Sequence, residues 1–232
     1  ILAEGESTPF DARIVEPGTV NILFKNVRNA VAFLPNRLKE EGMMYVSQLF
    51  NTYKDYRTNI IESALSNPNL VVHTVGVIMS ANRIERMQGE FWMYKEAFTP
   101  SIWNLINQLD NEKNDVVERF GGKRISYLDA CKYRNEEDLG KDSLKVFESY
   151  AAKSPKGPAN LDTRYLYEDV VVGLGLLSML GVEAKIPTPI TDSLISIASA
   201  LVNKNFHALK RTKRDFGVED LTYTGILEFV NN

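Results

Sequence analysis

Along the first 35 residues the apolar positions follow the period of a strand. In TVNILF (Thr19 to Phe24), Val20, Ile22 and Phe24 recur at every second place, and AVAFL (Ala30 to Leu34) is a short unbroken apolar run. Lys25 to Asn29 is expected to join these two as a hairpin connection, and the opening ILAEGES reads as the end of a strand followed by a loop. After Pro35 the spacing changes to three and four, and helices are expected over about 36–50, 55–66, 70–86, 99–120, 135–151, 163–180 and 188–201. Two of them announce their starts with Thr99-Pro100 and Thr188-Pro189, a capping hydroxyl followed by proline at the first helical position. Gly121-Gly122 ends the first of these. The pattern predicts a mainly α chain: a body of seven or eight helices over residues 36–232, preceded by a few strands over residues 1–35.

One stretch breaks the monotony. DVVVGLGLLSMLG (Asp169 to Gly181) runs three valines into G-x-G, as a dinucleotide-binding turn would, and Asp192 stands at a tempting distance for a ribose. The third glycine position holds Ser178, however, and Gly181, Pro187 and Pro189 leave little room for the helix that should receive a pyrophosphate. Both faces of VVVGLGLLSML are apolar, which suits a helix surrounded by others, with Gly173 and Gly175 letting a second backbone come close. The packing reading is the better one.

Composition narrows the function. A chain of 232 residues with net charge −3 gives no electrostatic reason to expect nucleic acid or an anionic membrane surface. One cysteine excludes an internal disulfide and fits a reducing compartment, and with two histidines no His/Cys metal site is readable. No uninterrupted apolar run approaches the ~18 residues of a spanning helix, and no signal-peptide pattern opens the chain. A cytoplasmic protein is expected. The first residue, Ile1, is not a methionine, and a start in mid-strand is expected of a chain cut from something longer.

Two histidines can be weighed singly. His207, in NKNFHALKRTKRD, has a basic polar context and is read as surface. His73, in NPNLVVHTVGVIM, lies among apolar residues just inside a helix that Asn67-Pro68-Asn69 begins; it is either a core histidine bonded to a carbonyl or a base pointing into a cleft, with Ser80 two turns on along its face. In TRYLYEDVVVG, Tyr165, Asp169 and Gly173 share a face, and Asp169 stands where a helix passes from exposed to buried. Arg164 offers a fork for a carboxylate, against the plainer reading of an ion pair with Asp169 or Glu168. The aromatic stretch FWMYKEAFTPSIW (Phe91 to Trp103) is read as core packing rather than a stacking platform.

Taken together, AEGESTPFDARI, NPNLVVHTVGVIMSANRIE, EAFTPSIWNLINQLDNEK, GPANLDTRYLYEDVVVGLGLLSMLGV, IPTPITDSLISIASAL and KRDFGVEDLTYTGILEFV resemble, in that order, the opine (octopine/nopaline) dehydrogenases. The resemblance covers essentially the whole chain. It implies a C-terminal all-helical dehydrogenase domain, like that of 6-phosphogluconate dehydrogenase, over residues 36–232. Residues 1–35 would be the remnant of an N-terminal NAD(P)-binding Rossmann domain. It implies NAD(P)H-dependent reductive condensation of a pyruvate-like 2-oxo acid with the amine of an amino acid, with NAD or NADP as cofactor. By position, His73 matches the catalytic histidine and Asp169 its partner. Arg164, Asn67 and Ser7 fall where substrate is held, and Ser80 falls on the cofactor side. Two departures stand out: Thr74 where a proline commonly follows the histidine, and Ser80 where an asparagine is usual.

Two other classes remain open on sequence. Related Rossmann-plus-helical reductases of hydroxy or oxo acids usually carry a lysine on the central helix, and no lysine lies between Lys54 and Lys95. The chain could instead be a non-catalytic helical module acting in dimerisation or ligand binding; its apolar helices leave room for a homodimer face.

Overall fold

The structure is a computed structural model that describes residues 1–232. Its five strands all lie in the first quarter of the chain: β1 (Leu2–Gly5), β2 (Phe10–Glu16), β3 (Thr19–Lys25), β4 (Asn29–Leu34) and β5 (Tyr53–Tyr56). β4 is the middle strand of a three-stranded sheet, antiparallel to β1 and parallel to β5. It is buried from Asn29 to Phe33, which is why it reads as an apolar run without alternation. β2 and β3 form a separate two-stranded antiparallel ribbon that turns at Pro17-Gly18, where the φ of +84° calls for glycine.

Two expectations change here. The partner of the 19–24 strand is β2, not the 30–34 strand, and Lys25–Asn29 is a crossing from ribbon to sheet rather than a hairpin. That crossing is pinned by non-local bonds, the Val27 backbone N–H donating to the Arg134 carbonyl at 2.7 Å. A fifth strand also appears beyond Pro35, in a stretch read as leading into a helix, because pairing with β4 outweighs its weak local pattern.

The helices follow: α1 (Lys39–Leu49), α2 (Ile60–Leu65), α3 (Asn69–Met79), α4 (Ala81–Met87), α5 (Met93–Glu96), α6 (Pro100–Arg119), α7 (Tyr127–Asn135) and α8 (Ser143–Ala151). A π-helical segment, Tyr165–Leu174, runs directly into α9 (Gly175–Ala184), and α10 (Pro189–Leu201), α11 (Phe206–Leu209) and α12 (Tyr223–Asn231) complete the chain. The single helix expected over 70–86 breaks at Ser80. Of the one expected over 135–151 only the later part forms, as α8, whose N-cap Asp142 accepts from Lys145 N; α7, which the pattern did not announce, precedes it and is capped by Ser126, whose hydroxyl accepts the Asp129 N–H. Each such cap is worth about 1 kcal/mol. α12 was not legible in advance.

Packing centres on α3. Every residue from Leu70 to Ile78 is buried, within a core of 37 buried apolar residues shared with the π-helical segment, α6, α9 and α10. Burying a side chain such as Val72 or Val75 contributes about 1.5–3 kcal/mol. The continuous helix Tyr165–Ala184 reaches 20 residues and is long and apolar enough to cross a membrane by length and composition, contrary to the expectation from uninterrupted runs; 56% of its most apolar window is buried inside the protein, as in a core helix.

The G-x-G stretch is helical throughout, so it forms no strand–turn–helix cradle. A Cβ on Gly175 would stand 2.8 Å from the Lys210 Cβ, whereas one on Gly173 would meet Leu70 at an ordinary 3.7 Å. Close approach therefore explains Gly175 and not Gly173.

The Thr-Pro helix starts are where expected, but neither hydroxyl caps. At α10 the cap comes from another helix: the buried carboxylate of Glu112 on α6 accepts Ile190 N–H at 2.7 Å, Thr191 N–H at 2.9 Å and the Thr191 hydroxyl at 2.7 Å. A carboxylate there also meets the positive end of the helix dipole.

Candidate active site

Pro68 and Asn69 start α3, and the Asn67 side chain accepts the Asn69 N–H at 3.0 Å. One turn later His73 is held on three sides. Its Nδ1 lies 2.8 Å from Asp169 Oδ2, its Nε2 lies 3.1 Å from the Tyr94 hydroxyl, and the Tyr165 ring stacks on it at 3.9 Å. A carboxylate can only accept, so Nδ1 carries the hydrogen and Nε2 accepts from Tyr94. Histidine and aspartate are both buried, at 5% and 9% exposure. Tyr165 and Asp169 do share the face expected of them: both meet α3, with Gly173 opposite Leu70 further along.

These side chains border a cavity of about 530 Å³ between the helical body and the strand region. One wall is the segment from Gly5 to Arg13; the other is built from the start of α3, from α5, α7 and α8, and from the segment leading into the π-helix. The wall from the strand region is anchored by a buried charge triad. Arg57 donates from Nε to Glu6 Oε2 at 2.9 Å, contacts Glu6 again through Nη2, and donates from Nη1 to Glu62 at 3.2 Å. Glu62 in turn accepts Thr58 N–H, and the Glu6 carboxylate accepts Ala30 N–H.

Of the residues singled out in the sequence, His73, Arg164, Asn67 and Ser7 all line this cavity, and Asp169 stands directly behind His73. Ser7 accepts from the Asn26 amide at 3.3 Å, and its carbonyl accepts from Tyr53 at 2.8 Å. Asn67 is exposed at the rim. The Arg164 side chain is 55% exposed; it pairs with Glu168 at 3.5 Å, not with Asp169, and lies 5.6 Å over the Tyr165 ring. An exposed pair at that spacing is worth about 0.3–0.5 kcal/mol, so its guanidinium is readily exchanged to a carboxylate from solution.

Ser80 is the exception. It sits at the α3–α4 break, two turns past His73, and does not line the cavity. Thr74 continues α3 without a break, its hydroxyl donating to the Leu70 carbonyl at 2.7 Å, the usual back-bond of a helical threonine. His207 is exposed and bonded to Ser196, as its context implied. No cluster of His, Cys, Asp or Glu is arranged to hold a metal.

The aromatic stretch is core at Phe91 and Met93, with Phe98 and Trp103 packed against it as expected, but Tyr94 does more than pack. It supplies the hydrogen bond to His73 Nε2 and stands edge-on to Tyr150 at 5.1 Å. Burial, with Tyr150, Tyr127 and Tyr165 nearby, holds its hydroxyl protonated far above the ordinary range. Burial likewise pushes Tyr150 up to about 12. Tyr94 is therefore a permanent donor at neutral pH. Nothing in FWMYKEAF marked it, because a cavity tyrosine and a core tyrosine look alike in sequence. Arg134, on α7, is a second cavity residue the sequence did not disclose.

Chemically, the group is a buried imidazole whose tautomer is set by a carboxylate, with its free nitrogen turned toward a phenol and a cavity. It can take a proton at Nε2 and give it back, the imidazolium being stabilised by Asp169.

The model for the alpha-helical domain of NAD/NADP octopine/nopaline dehydrogenases matches residues 56–202. An opine dehydrogenase of Arthrobacter sp. (strain 1C) is 29% identical over 231 residues, covering 97% of this chain and 62% of that protein. Protein ocs of Agrobacterium tumefaciens (strain Ach5) is 22% identical, covering 98% and 63%. The chain thus spans about three-fifths of the length of these relatives. Solved structures of octopine dehydrogenase, with NADH and L-arginine and with NADH and agmatine, share the fold with TM-scores of 0.63 and 0.65 at 17% identity, covering 97% of this chain and 64% of theirs. The family match spans more than half of the residues, and it falls on the helical body that carries His73, Asp169 and Arg164: the chain belongs to the NAD/NADP octopine/nopaline dehydrogenase family.

Proposed function

We propose that this chain is the substrate-binding and proton-transferring part of an opine-type dehydrogenase, which joins the amine of an amino acid to a 2-oxo acid and reduces the product at the new C–N bond. The observation that carries this reading is the buried His73–Asp169 pair on the wall of a cavity whose mouth bears Arg164.

In this reading Arg164 exchanges Glu168 for the α-carboxylate of the amino acid. His73 Nε2 accepts a proton from the ammonium group, freeing the nitrogen lone pair to attack the carbonyl carbon of the oxo acid, and returns a proton to the departing hydroxyl so that water leaves. Asp169 keeps Nδ1 protonated and stabilises the charge while His73 holds the extra proton. Tyr94 hands the Nε2 position over to substrate and remains beside it as a donor. Ser7, on the opposite wall, seats the oxo acid.

NADH or NADPH supplies the hydride that completes the reduction. Gly173-x-Gly175 lies inside a helix and forms no dinucleotide cradle. In this reading most of the cofactor site belongs to the part of the relatives' length which this chain does not span. The test is an assay of the full-length protein for NADH and NADPH oxidation with pyruvate and a panel of amino acids. The expected product mass is that of the two acids joined, less water and plus two hydrogens. No oxidation with any pair would overturn the reading.

A further inference from the structure

The charges around the cavity are nearly all answered. Glu6 is held by Arg57, Asp11 by Arg13 at 2.9 Å, Lys156 by Glu90, Arg164 by Glu168 and His73 by Asp169. Arg134 is the exception. It lines the cavity, is 3% exposed, forms no ion pair, and its Nη1 is fully enclosed without a hydrogen-bond partner.

Such a group is costly to keep. An isolated buried cation carries a desolvation penalty of several kcal/mol, and a guanidinium cannot escape it by releasing its proton. A lysine can: burial, with Arg57 and Arg134 nearby, pulls Lys113 below its usual range even though Asp110 pairs with it. Arg134 lies in the last turn of α7, where the helix dipole favours a cation, but a dipole end offsets only a small part of the lost hydration. The fold leaves the balance to an anion in the cavity.

We propose that Arg134 receives a second carboxylate, and that the amino acid joined by this enzyme carries an acidic side chain. This rests on the opine reading of the site. Arg164 and Arg134 differ in depth, the first about half exposed at the mouth beside His73, the second enclosed. An amino acid whose α-carboxylate is on Arg164 extends its side chain inward along Tyr94, Tyr150 and Tyr127. These tyrosines stay neutral, and the carboxylates that face them, Asp11 and Asp110, are each paired with a cation, Arg13 and Lys113. Asn135 supports the assignment. Its Nδ2 lies 3.3 Å from Cys131 Sγ while its Oδ1 is buried without a partner. Burial keeps the Cys131 thiol protonated, so with the amide turned over Cys131 donates to Oδ1 and Nδ2 joins Arg134 as a donor in the cavity wall.

The test compares pairs that differ in charge and hardly in shape: glutamate with glutamine, and aspartate with asparagine, each with pyruvate and NADH or NADPH, on the full-length protein. One acid is expected to be preferred to its amide by on the order of a hundredfold, expressed in KM. In Arg134→Met that preference falls to within about threefold while turnover of the amide is kept, a pattern that a purely structural role would not give. Wild-type enzyme that treats acid and amide alike overturns the proposal, as does a variant that loses both equally. Calorimetry with the same four amino acids separates this from failure of the opine reading. Arg134-dependent binding of the acid without turnover of any pair would sink the opine reading and leave the carboxylate site standing; turnover of neutral amino acids with no acid preference would do the reverse.

Discussion

Asp169→Asn isolates the charge of the His73–Asp169 pair from its geometry. Asparagine has nearly the same shape and keeps an oxygen that can accept from His73 Nδ1, 2.8 Å away in the native protein. What it removes is the negative charge facing the imidazolium formed when Nε2 takes a proton. With charge centres about 4 Å apart and an effective dielectric near 20, that attraction is ~4 kcal/mol. At 1.36 kcal/mol for each factor of ten, kcat should fall by about 10³. Because Asp169 lies behind His73 and touches no substrate in this account, KM for the amino acid should move less than about threefold. The assay is steady-state NAD(P)H oxidation by the full-length protein with its best substrate pair. Adding Asp169→Asn to His73→Ala should cost nothing further, since the aspartate acts through the histidine. A loss in kcat under tenfold, or a further loss in the double variant, would refute the pairing as the source of the base.

Two further outcomes follow from packing and burial. Gly175→Ala should destabilise the chain by about 1–3 kcal/mol in urea unfolding, because its Cβ would press on Lys210, whereas Gly173→Ala should be neutral or stabilising by up to ~1 kcal/mol; equal effects at the two sites would contradict the packing described. Tyr94, Tyr127 and Tyr150 have folded-state values raised by burial, Tyr150 to about 12. The stability this contributes is fully present below the unfolded value near 10 and is lost as pH rises through the folded values. A titration at 295 nm should show part of the ten tyrosines ionising late, together with unfolding, and a single reversible wave near pH 10 in the folded protein would show that burial does not hold them.

The parts legible in the sequence are those set by local pattern. Strand signals at 19–24 and 30–34 and helices such as α3, α6 and α10 follow from period two and period three-to-four spacing. What failed was pairing at a distance. β4 takes β1 and β5 as neighbours instead of β3, and no local feature of Lys25–Asn29 distinguishes a hairpin from a crossing. The cap of α10 has the same character: Thr188 looks sufficient, yet Glu112, 78 residues before Ile190, does the capping. In the site, the spacing of Tyr165 and Asp169 was readable, while the meeting of Asp169 with His73, 96 residues apart, came from resemblance and not from periodicity. The π-helical winding of Tyr165–Leu174 leaves no mark in composition. Tyr94 and Arg134 were invisible for opposite reasons, one having a core context and the other, in CKYRNEED, the look of a solvated face.

The Glu6–Arg57–Glu62 triad bears on how the cavity meets its ligands. It rivets the segment before Ser7 to α2, and α2 leads through Pro68 into the helix that carries His73. The two walls are thereby tied across the seam by a fixed ionic joint, so their separation is settled when the chain folds. In the proposed reaction, two small acids entering such a slot would find its width already set, and the ordering that their encounter needs met before they arrive.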